Sequence, residues 1–143
     1  MEFDKTIAVG DSCVEAAASV APAVTIVICS SCRDPSGSDA RPRPGELLGA
    51  ATREANTLPG VRVEQVECLG NCKRRLSAAF IKPGAWSYVF GDLGTEAAHD
   101  LLAGAKLFQQ STDGLMPWRG RPDCLKRGLV ARIPPLAFLK DNS

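Results

Sequence analysis

The chain has 143 residues, a formal net charge of +1 and a hydrophobic fraction of 45%. The length suits a single domain, and this apolar fraction is ordinary for a globular protein that buries a core. The near-neutral charge excludes a global electrostatic attraction to nucleic acid or to a membrane surface.

The amino terminus lacks the basic start and unbroken apolar run of a secretory signal. No apolar stretch approaches the roughly 20 residues that a membrane helix requires. We therefore expect a cytoplasmic protein with no membrane partner. In that reducing compartment, clustered cysteines bind metal or do chemistry more often than they form disulfides.

Three parts follow one another along the chain: an N-terminal appendage (1–22), a domain (23–110) and a basic tail punctuated by Pro and Gly (111–143). The domain opens with a β-branched run, 24–28, which is typical of a buried strand and leads directly into Cys29-Ser30-Ser31-Cys32. A loop rich in Pro, Gly and Ser follows, and then a helix over about 46–57 with an apolar stripe.

Residues 61–67 predict a half-buried strand in which Val61, Val63 and Gln65 point one way before the phase slips at Val66. This strand ends at Cys68-Leu69-Gly70-Asn71-Cys72. Two further strands, 76–82 and 85–90, form a hairpin around a Pro83-Gly84 type II turn. A second helix spans about 96–110, with Thr95 as its N-cap.

The predicted order is β-α-β-β-β-α, which indicates an α/β (α+β) fold with a mixed sheet and an extended basic C-terminal tail. A strand–helix–strand unit gives parallel strands with a right-handed crossover. The carboxyl ends of parallel strands meet at one edge of the sheet. Because both strands of this unit end in a cysteine motif, the topology brings together cysteines that 35 residues separate.

Two cysteine pairs, C-x2-C and C-x3-C, supply four thiolates: Cys29, Cys32, Cys68 and Cys72. Four soft ligands suit zinc or an iron–sulfur cluster and suit Mg²⁺ or Ca²⁺ poorly. Gly70 permits a tight turn with positive φ that leaves backbone amides free to donate to sulfur. The basic run Lys73-Arg74-Arg75 would stabilise a reduced, more negative cluster.

Two other interpretations of these cysteines stay open. A structural zinc site is compatible with C-x2-C, although the gap of 35 residues exceeds the usual zinc spacing of about 15–20. A thioredoxin-type dithiol would use Cys29 and Cys32 alone. That interpretation leaves Cys68 and Cys72 unexplained. The long loop after Cys32 also keeps the pair away from a helix N-terminus, which would lower the pKa of a thiol.

The Cys68–Cys72 motif, followed by a strand, a Pro-Gly turn and an aromatic strand bearing Tyr88, resembles the second half of thioredoxin-like 2Fe-2S ferredoxins. More narrowly, Cys-Ser-Ser-Cys-Arg and the tail motifs resemble a bacterial family of metal-binding, ferredoxin-like proteins often encoded beside cobalamin-biosynthesis genes. The matching tail motifs are Trp118-Arg119, Arg121-Pro122 and Arg132-Ile133-Pro134-Pro135. The broader resemblance covers about 24–110, and the narrower one extends to about 136.

This resemblance implies a thioredoxin-like fold and a 2Fe-2S cluster, with Cys29 and Cys32 on one iron and Cys68 and Cys72 on the other. It implies a one-electron carrier for a partner oxidoreductase, in cobalamin metabolism if the gene neighbourhood applies, and a possible homodimer. The first pair departs from the ferredoxin pattern, which usually separates these ligands further. A non-redox protein that holds structural zinc or handles cobalt, and a cluster-based sensor, are the alternatives.

The remaining residues carry less chemistry. We expect no enzyme, because no catalytic constellation appears. Cys13 and Cys124 are interpreted as free thiols, with Cys124 as a spare-ligand alternative, and His99 as a surface side chain. The basic tail could dock an acidic redox partner. It has too few aromatic residues for a nucleic-acid platform, so no nucleic-acid partner is expected.

Overall fold

A computed structural model describes residues 23–32 and 41–140. The predicted appendage, 1–22, and most of the predicted loop, 33–40, lie outside these residues. The described chain forms these elements in order: β1 (Val24–Cys29), α1 (Pro44–Ala55), β2 (Val61–Val66), a 3₁₀ turn (Cys72–Arg74), β3 (Ala78–Ile81), β4 (Ser87–Phe90), α2 (Ala98–Gln110), α3 (Cys124–Arg127), β5 (Leu129–Ile133) and α4 (Leu136–Lys140).

The five strands form one mixed sheet in the order β2-β1-β3-β4-β5. β1 and β2 are parallel, in register from Val24 opposite Val61 to Cys29 opposite Val66. The other neighbouring strands are antiparallel. The α/β fold and the mixed sheet that the sequence predicts are therefore confirmed, and β1 and β2 end side by side at the same edge.

The core lies between one face of the sheet and the helices α1 and α2. Alternate residues of β1, namely Val24, Ile26 and Ile28, are fully buried on this face. An aromatic cluster continues the core toward β4, where Tyr88 meets Phe108 of α2 edge to face with the ring centroids 5.4 Å apart. Such an aromatic pair stabilises a fold by about 0.5–1.5 kcal/mol beyond the contribution of the buried apolar area. This packing fixes the sheet edge that carries the cysteine motifs.

The change of phase that the sequence predicts at Val66 of β2 is wrong. Val61 and Val63 are buried, and Gln65 follows them on the same face. The Gln65 amide donates to the carbonyl oxygen of Gly45 at 3.4 Å, so this polar side chain has a partner on α1. Val66 is 39% exposed. The alternation thus continues without a slip, and the last strand residue faces away from the core.

The predicted turn at Pro83-Gly84 is confirmed, and the predicted N-cap of α2 is wrong. Gly84 has a φ of +74°, and the Ala85 amide donates to the Lys82 carbonyl at 3.0 Å, as a turn centred on Pro83-Gly84 requires. The predicted cap Thr95 is wrong, because α2 begins at Ala98 and no side chain caps it. A turn over 95–97 precedes the helix, so Thr95 lies three residues before the first helical residue.

The predicted tail contributes to the sheet. Its strand β5 pairs antiparallel with β4, with Tyr88 opposite Arg132 and Val89 opposite Ala131. Leu125 of α3 is fully buried and packs where a Cβ on Gly104 would stand. The described part of the tail thus adds a fifth strand and two short helices to the predicted order. No helix in the described ranges is long and apolar enough to span a bilayer.

Lys82, a residue of the loop after β3, caps the C-terminal end of α2 with its side chain. Its ammonium group, on a side chain only 9% exposed, donates to the carbonyls of Phe108 at 2.9 Å and Ser111 at 3.0 Å. Lys82→Met would leave these carbonyls without the donor, and we expect it to lower the free energy of unfolding by about 1–3 kcal/mol in urea denaturation. The exposed Lys106→Met should change it by less than about 0.5 kcal/mol. Equal effects of the two substitutions would contradict this role for Lys82.

Candidate metal centre

The two cysteine motifs are joined through their backbones. Beyond β1, the Ser30 amide donates to the Val66 carbonyl at 2.7 Å, and the Ser31 amide donates to the Glu67 carbonyl at 3.1 Å. The parallel pairing of β1 with β2 therefore continues into the loop that holds Cys29 and Cys32. It ends directly before Cys68, so the two motifs lie against each other at the carboxyl edge of the sheet, where the topology predicts them.

Cysteines of both motifs line a cavity of about 230 Å³ at this edge. Its lining side chains come from both motifs and from the approach to α1: Cys29, Ser31, Cys32, Arg43, Cys72 and Arg75. Cys29 is 2% exposed and Cys32 is 5% exposed, whereas Cys68 and Cys72 are exposed. One pair of thiols is therefore buried and the other lies at the protein surface. Three of the four line the cavity, and Cys68 is not among the lining residues but contacts Cys72.

Each pair of thiols interacts internally. Burial raises the pKa of Cys29, but hydrogen bonds from the Cys32 thiol and the Leu69 amide outweigh burial and leave that pKa below its ordinary value. Burial and the interaction with Cys29 raise the pKa of Cys32 to about 12. At the surface, hydrogen bonding and charge from Cys68 raise the pKa of Cys72. Metal binding must therefore displace a proton from Cys32 and Cys72, which makes it dependent on pH.

The arrangement consists of two pairs, with no single cluster of four. Among the described residues, no group of three or more His, Cys, Asp or Glu side chains converges closely enough to hold one metal ion. Tetrahedral zinc, with Zn–S bonds of about 2.3 Å, needs four sulfurs within about 3.8 Å of each other. A binuclear cluster needs a pair of thiolates at each end. The donor set and its grouping fit the binuclear case.

The loop that carries the surface pair is held by its own polar groups. Gly70 adopts the positive φ that the sequence predicts, +77°, and its amide donates to the Cys68 sulfur at 3.2 Å. The Asn71 side-chain amide donates to the Arg74 carbonyl at 3.1 Å and to the Ser77 hydroxyl at 3.0 Å. Because Ser77 is buried, this contact fixes the loop to the core.

The N-terminus of α1 closes the other side of the cavity. The Gly45 amide donates to the Cys32 carbonyl at 3.2 Å. The expectation that the loop after Cys32 keeps a helix N-terminus away from this pair is therefore wrong, because the chain returns to Cys32 where α1 begins. Burial of both thiols nevertheless counts against a dithiol that must reach a substrate disulfide.

Arg43 is the cavity residue that sequence reasoning missed. It stands directly before α1, and its guanidinium donates to the Ser31 carbonyl at 3.3 Å. The topology could have predicted its position. A crossover helix starts at the sheet edge where the preceding strand ends, so the first residues of α1 must lie near Cys29. Arg75, in the predicted basic run, donates to the Cys72 carbonyl at 2.8 Å.

Arg74 connects the cysteine loop to the tail. Its guanidinium pairs with the Asp92 carboxylate at 2.8 Å and donates to the Arg127 carbonyl at 3.4 Å. Both ends of the ion pair are partly solvated, so it adds little stability by itself. These contacts instead fix positions, because they join α3 and the loop after β4 to the segment that follows Cys72.

The other candidate residues lie away from this cavity. The Cys124 thiol contacts the Asp100 carboxylate at 3.5 Å, and burial raises the pKa of Cys124 to about 11, with Asp100 acting in the same direction. Cys124 lines a separate cavity, together with Asp92, Arg127 and Gly128. His99 is exposed on α2. Cys13 lies outside the described residues.

Fold and site define an α/β protein of thioredoxin-like architecture with four cysteines gathered at one sheet edge. The chain belongs to the family described as "Protein of unknown function (DUF1636)", which matches residues 26–135. A solved structure, that of a thioredoxin-like [2Fe-2S] ferredoxin from Aquifex aeolicus, superimposes with a TM-score of 0.53. The alignment covers 80% of this chain and 96% of that chain at 15% identity, a likeness of fold alone. No curated protein matches the chain.

Proposed function

We propose that this chain is a 2Fe-2S protein that passes single electrons to a partner oxidoreductase, with Cys29, Cys32, Cys68 and Cys72 as the cluster ligands. One observation carries the proposal: the ends of two parallel strands bring both cysteine motifs to one sheet edge, where Cys29, Cys32 and Cys72 line a single cavity and Cys68 contacts Cys72. When bound, the cluster would supply a one-electron carrier. The chain would hold it, shield one side and set its electrostatic surroundings.

The grouping of the thiols supports a cluster over zinc. Cys29 interacts with Cys32, and Cys68 with Cys72, while no three of these side chains close on one point within the described ranges. The fold of the Aquifex aeolicus protein agrees with this proposal. Structural zinc or cobalt handling is the second candidate, which the C-x2-C spacing still favours.

The exposure of the thiols supports an electron carrier. Cys68 and Cys72 are exposed, so a partner that docks on this edge would come close to the site. Arg43 and Arg75 line the cavity, and Lys73 is exposed beside it. Positive charge around the opening suits an acidic docking surface and stabilises the more negative reduced state.

The remaining parts of the proposal come from the sequence. They are a non-enzymatic role in the cytoplasm, use of the electrons in cobalamin metabolism, homodimer formation, and the absence of nucleic-acid or membrane partners. A sensor that reports oxygen or iron through its cluster would use the same four ligands.

A reductive titration tests electron transfer separately from metal content. The anaerobically purified chain is titrated with dithionite while the visible absorbance is followed, and it is then reoxidised. We expect uptake of one electron per cluster, bleaching of the visible bands and their full return. A coloured protein whose bands do not respond, or whose cluster breaks down at the first reduction, would contradict the carrier and favour a sensor.

Asn71 gives a test of how the surface loop holds the cluster. Asn71→Ala removes the contacts to Arg74 and Ser77 but leaves every cysteine in place. We expect the visible absorbance to decay about tenfold faster when an iron chelator is added, in line with the loss of an outer contact at a metal site. The matched substitution Asn56→Ala, at the end of α1, should leave this rate unchanged. Equal rates in the two variants would contradict the role of Asn71.

A further inference from the structure

A second cavity, of about 330 Å³, lies along β4 and β5 and beneath the segment between α2 and α3. Its volume is within the range of small-molecule sites, about 300–1,000 Å³. The walls combine large aromatic rings, apolar side chains and two guanidinium groups: Tyr88, Met116, Trp118, Arg121, Leu129 and Arg132. No carboxylate is among the described residues that line it.

Arg121 forms the inner wall. It is 7% exposed, and its N–H groups donate to the carbonyls of Pro117 at 3.1 Å, of Leu125 at 3.3 Å and of Met116. Its guanidinium also lies 5.6 Å from the ring centroid of Tyr88. Backbone carbonyls accept its hydrogen bonds, and no carboxylate among the described residues forms an ion pair with it. Arg121 therefore fixes the shape of the cavity and adds buried positive charge.

Arg132 supplies a second positive charge at the opening. It is exposed on β5, opposite Tyr88 in the sheet, and its guanidinium lies 4.7 Å from the ring centroid of Trp86. Within residues 23–32 and 41–140, no side chain forms an ion pair with it. Burial lowers the pKa of Arg121, and the charge of Arg132 lowers it further. A bound anion would relieve the repulsion between these two charges.

Trp118 offers a ring surface beside these charges. It is 58% exposed although it is one of the largest apolar side chains of the protein. Its ring centroid lies 5.1 Å from the Arg121 guanidinium and 5.4 Å from the Lys126 ammonium. The nearby carboxylate of Asp123 is already paired with Arg127 at 2.7 Å. The electrostatic surroundings of the exposed indole are therefore positive.

We propose that this cavity binds a small organic anion with a planar ring, whose anionic group is held by Arg132 and whose ring packs against Trp118. Arg121 contributes positive charge from the inner wall. A guanidinium hydrogen-bonds an oxyanion through the N–H groups in its plane, and the contact of Arg132 with the Trp86 ring is not a hydrogen bond to a protein acceptor. The site uses none of the cysteines, so it does not depend on the proposed cluster.

Isothermal titration calorimetry on the full-length chain tests this proposal, with phenyl phosphate as the probe and inorganic phosphate at matched ionic strength as the comparison. We expect saturable binding of phenyl phosphate with a Kd below about 1 mM. Arg132→Gln should weaken binding at least about tenfold, because it removes a charge-assisted contact. Trp118→Leu should weaken it severalfold, and Arg119→Gln, which changes an exposed arginine outside the lining, should have no effect.

Three results would overturn the proposal. If phenyl phosphate gives no saturable heat with the wild-type protein, the cavity is not a binding site for such anions. Equal affinities of Arg132→Gln and Arg119→Gln would show that the anion binds elsewhere. Inorganic phosphate that binds as tightly as phenyl phosphate would show that the ring makes no contact. Both variants carry the same loss of charge on exposed positions, so the comparison separates a specific contact from a change in net charge.

Discussion

Gly45→Ala, which adds one methyl group, is expected to disrupt the cysteine site. Gly45 is buried at the start of α1, where an added Cβ would overlap the carbonyl oxygen of Cys29 and come within 3.2 Å of the Cys32 Cβ. Both neighbours belong to the proposed ligand loop, and a backbone carbonyl cannot rotate away. We expect a loss of at least about 3 kcal/mol in the free energy of unfolding. A protein purified with little or no cluster should accompany this loss.

The matched control is Gly49→Ala, one turn later in the same helix. Its Cβ would overlap the side-chain amide of Gln65, which can rotate away. Alanine is also favoured over glycine inside a helix by about 1 kcal/mol. Urea denaturation should therefore show a much smaller loss for Gly49→Ala than for Gly45→Ala. Similar losses in the two variants would show that contact between α1 and the Cys29–Cys32 loop is not what makes Gly45 necessary.

Replacing any one of the four cysteines with serine is expected to abolish stable cluster binding. Loss of an outer contact at a metal site costs about 10–100-fold in affinity, and loss of a direct ligand costs at least as much. Iron content should therefore fall at least tenfold in Cys29→Ser, Cys32→Ser, Cys68→Ser and Cys72→Ser. Measurements of iron and of visible absorbance, on protein purified without oxygen, provide the test.

Cys124→Ser is the control for this series. Cys124 contacts Asp100 and lines a different cavity beside α3, so its removal should leave iron content and spectrum unchanged. If Cys124→Ser loses iron, the ligand set needs revision. If Cys68→Ser keeps a wild-type spectrum, Cys68 is not a ligand. Because each substitution is only one atom different from the parent, altered volume does not explain a loss of metal.

The position of the site could be predicted because it depends on topology. A strand–helix–strand unit places the ends of both strands at one edge whatever the side chains between them do. The β-branched run that forms β1 and the apolar stripe of α1 are strong local signals. With those two elements in place, Cys29 and Cys68 must lie close together. The amino-acid pattern alone therefore predicts the sheet edge at which both cysteine motifs meet.

Other features depend on contacts that a linear pattern does not show. The sequence predicts a break in the alternation of β2 at Val66, and the hydrogen bond from Gln65 to the Gly45 carbonyl, which a linear pattern does not show, explains why the strand continues without one. Four of the five residues of the edge strand β5 are exposed, so burial imposes no alternating pattern on it. Thr95 has the chemistry of a cap, but the turn that precedes α2 moves it out of place. Each depends on tertiary packing that overrides local preference.

The metal content of protein purified without oxygen tests the central claim most directly. We would record the absorption spectrum and measure iron, acid-labile sulfide and zinc on the same sample. The proposal predicts about two irons and two sulfides per chain, with visible bands that bleach on reduction. A colourless protein with one zinc per chain would contradict it and would identify the four cysteines as a structural or metal-handling site.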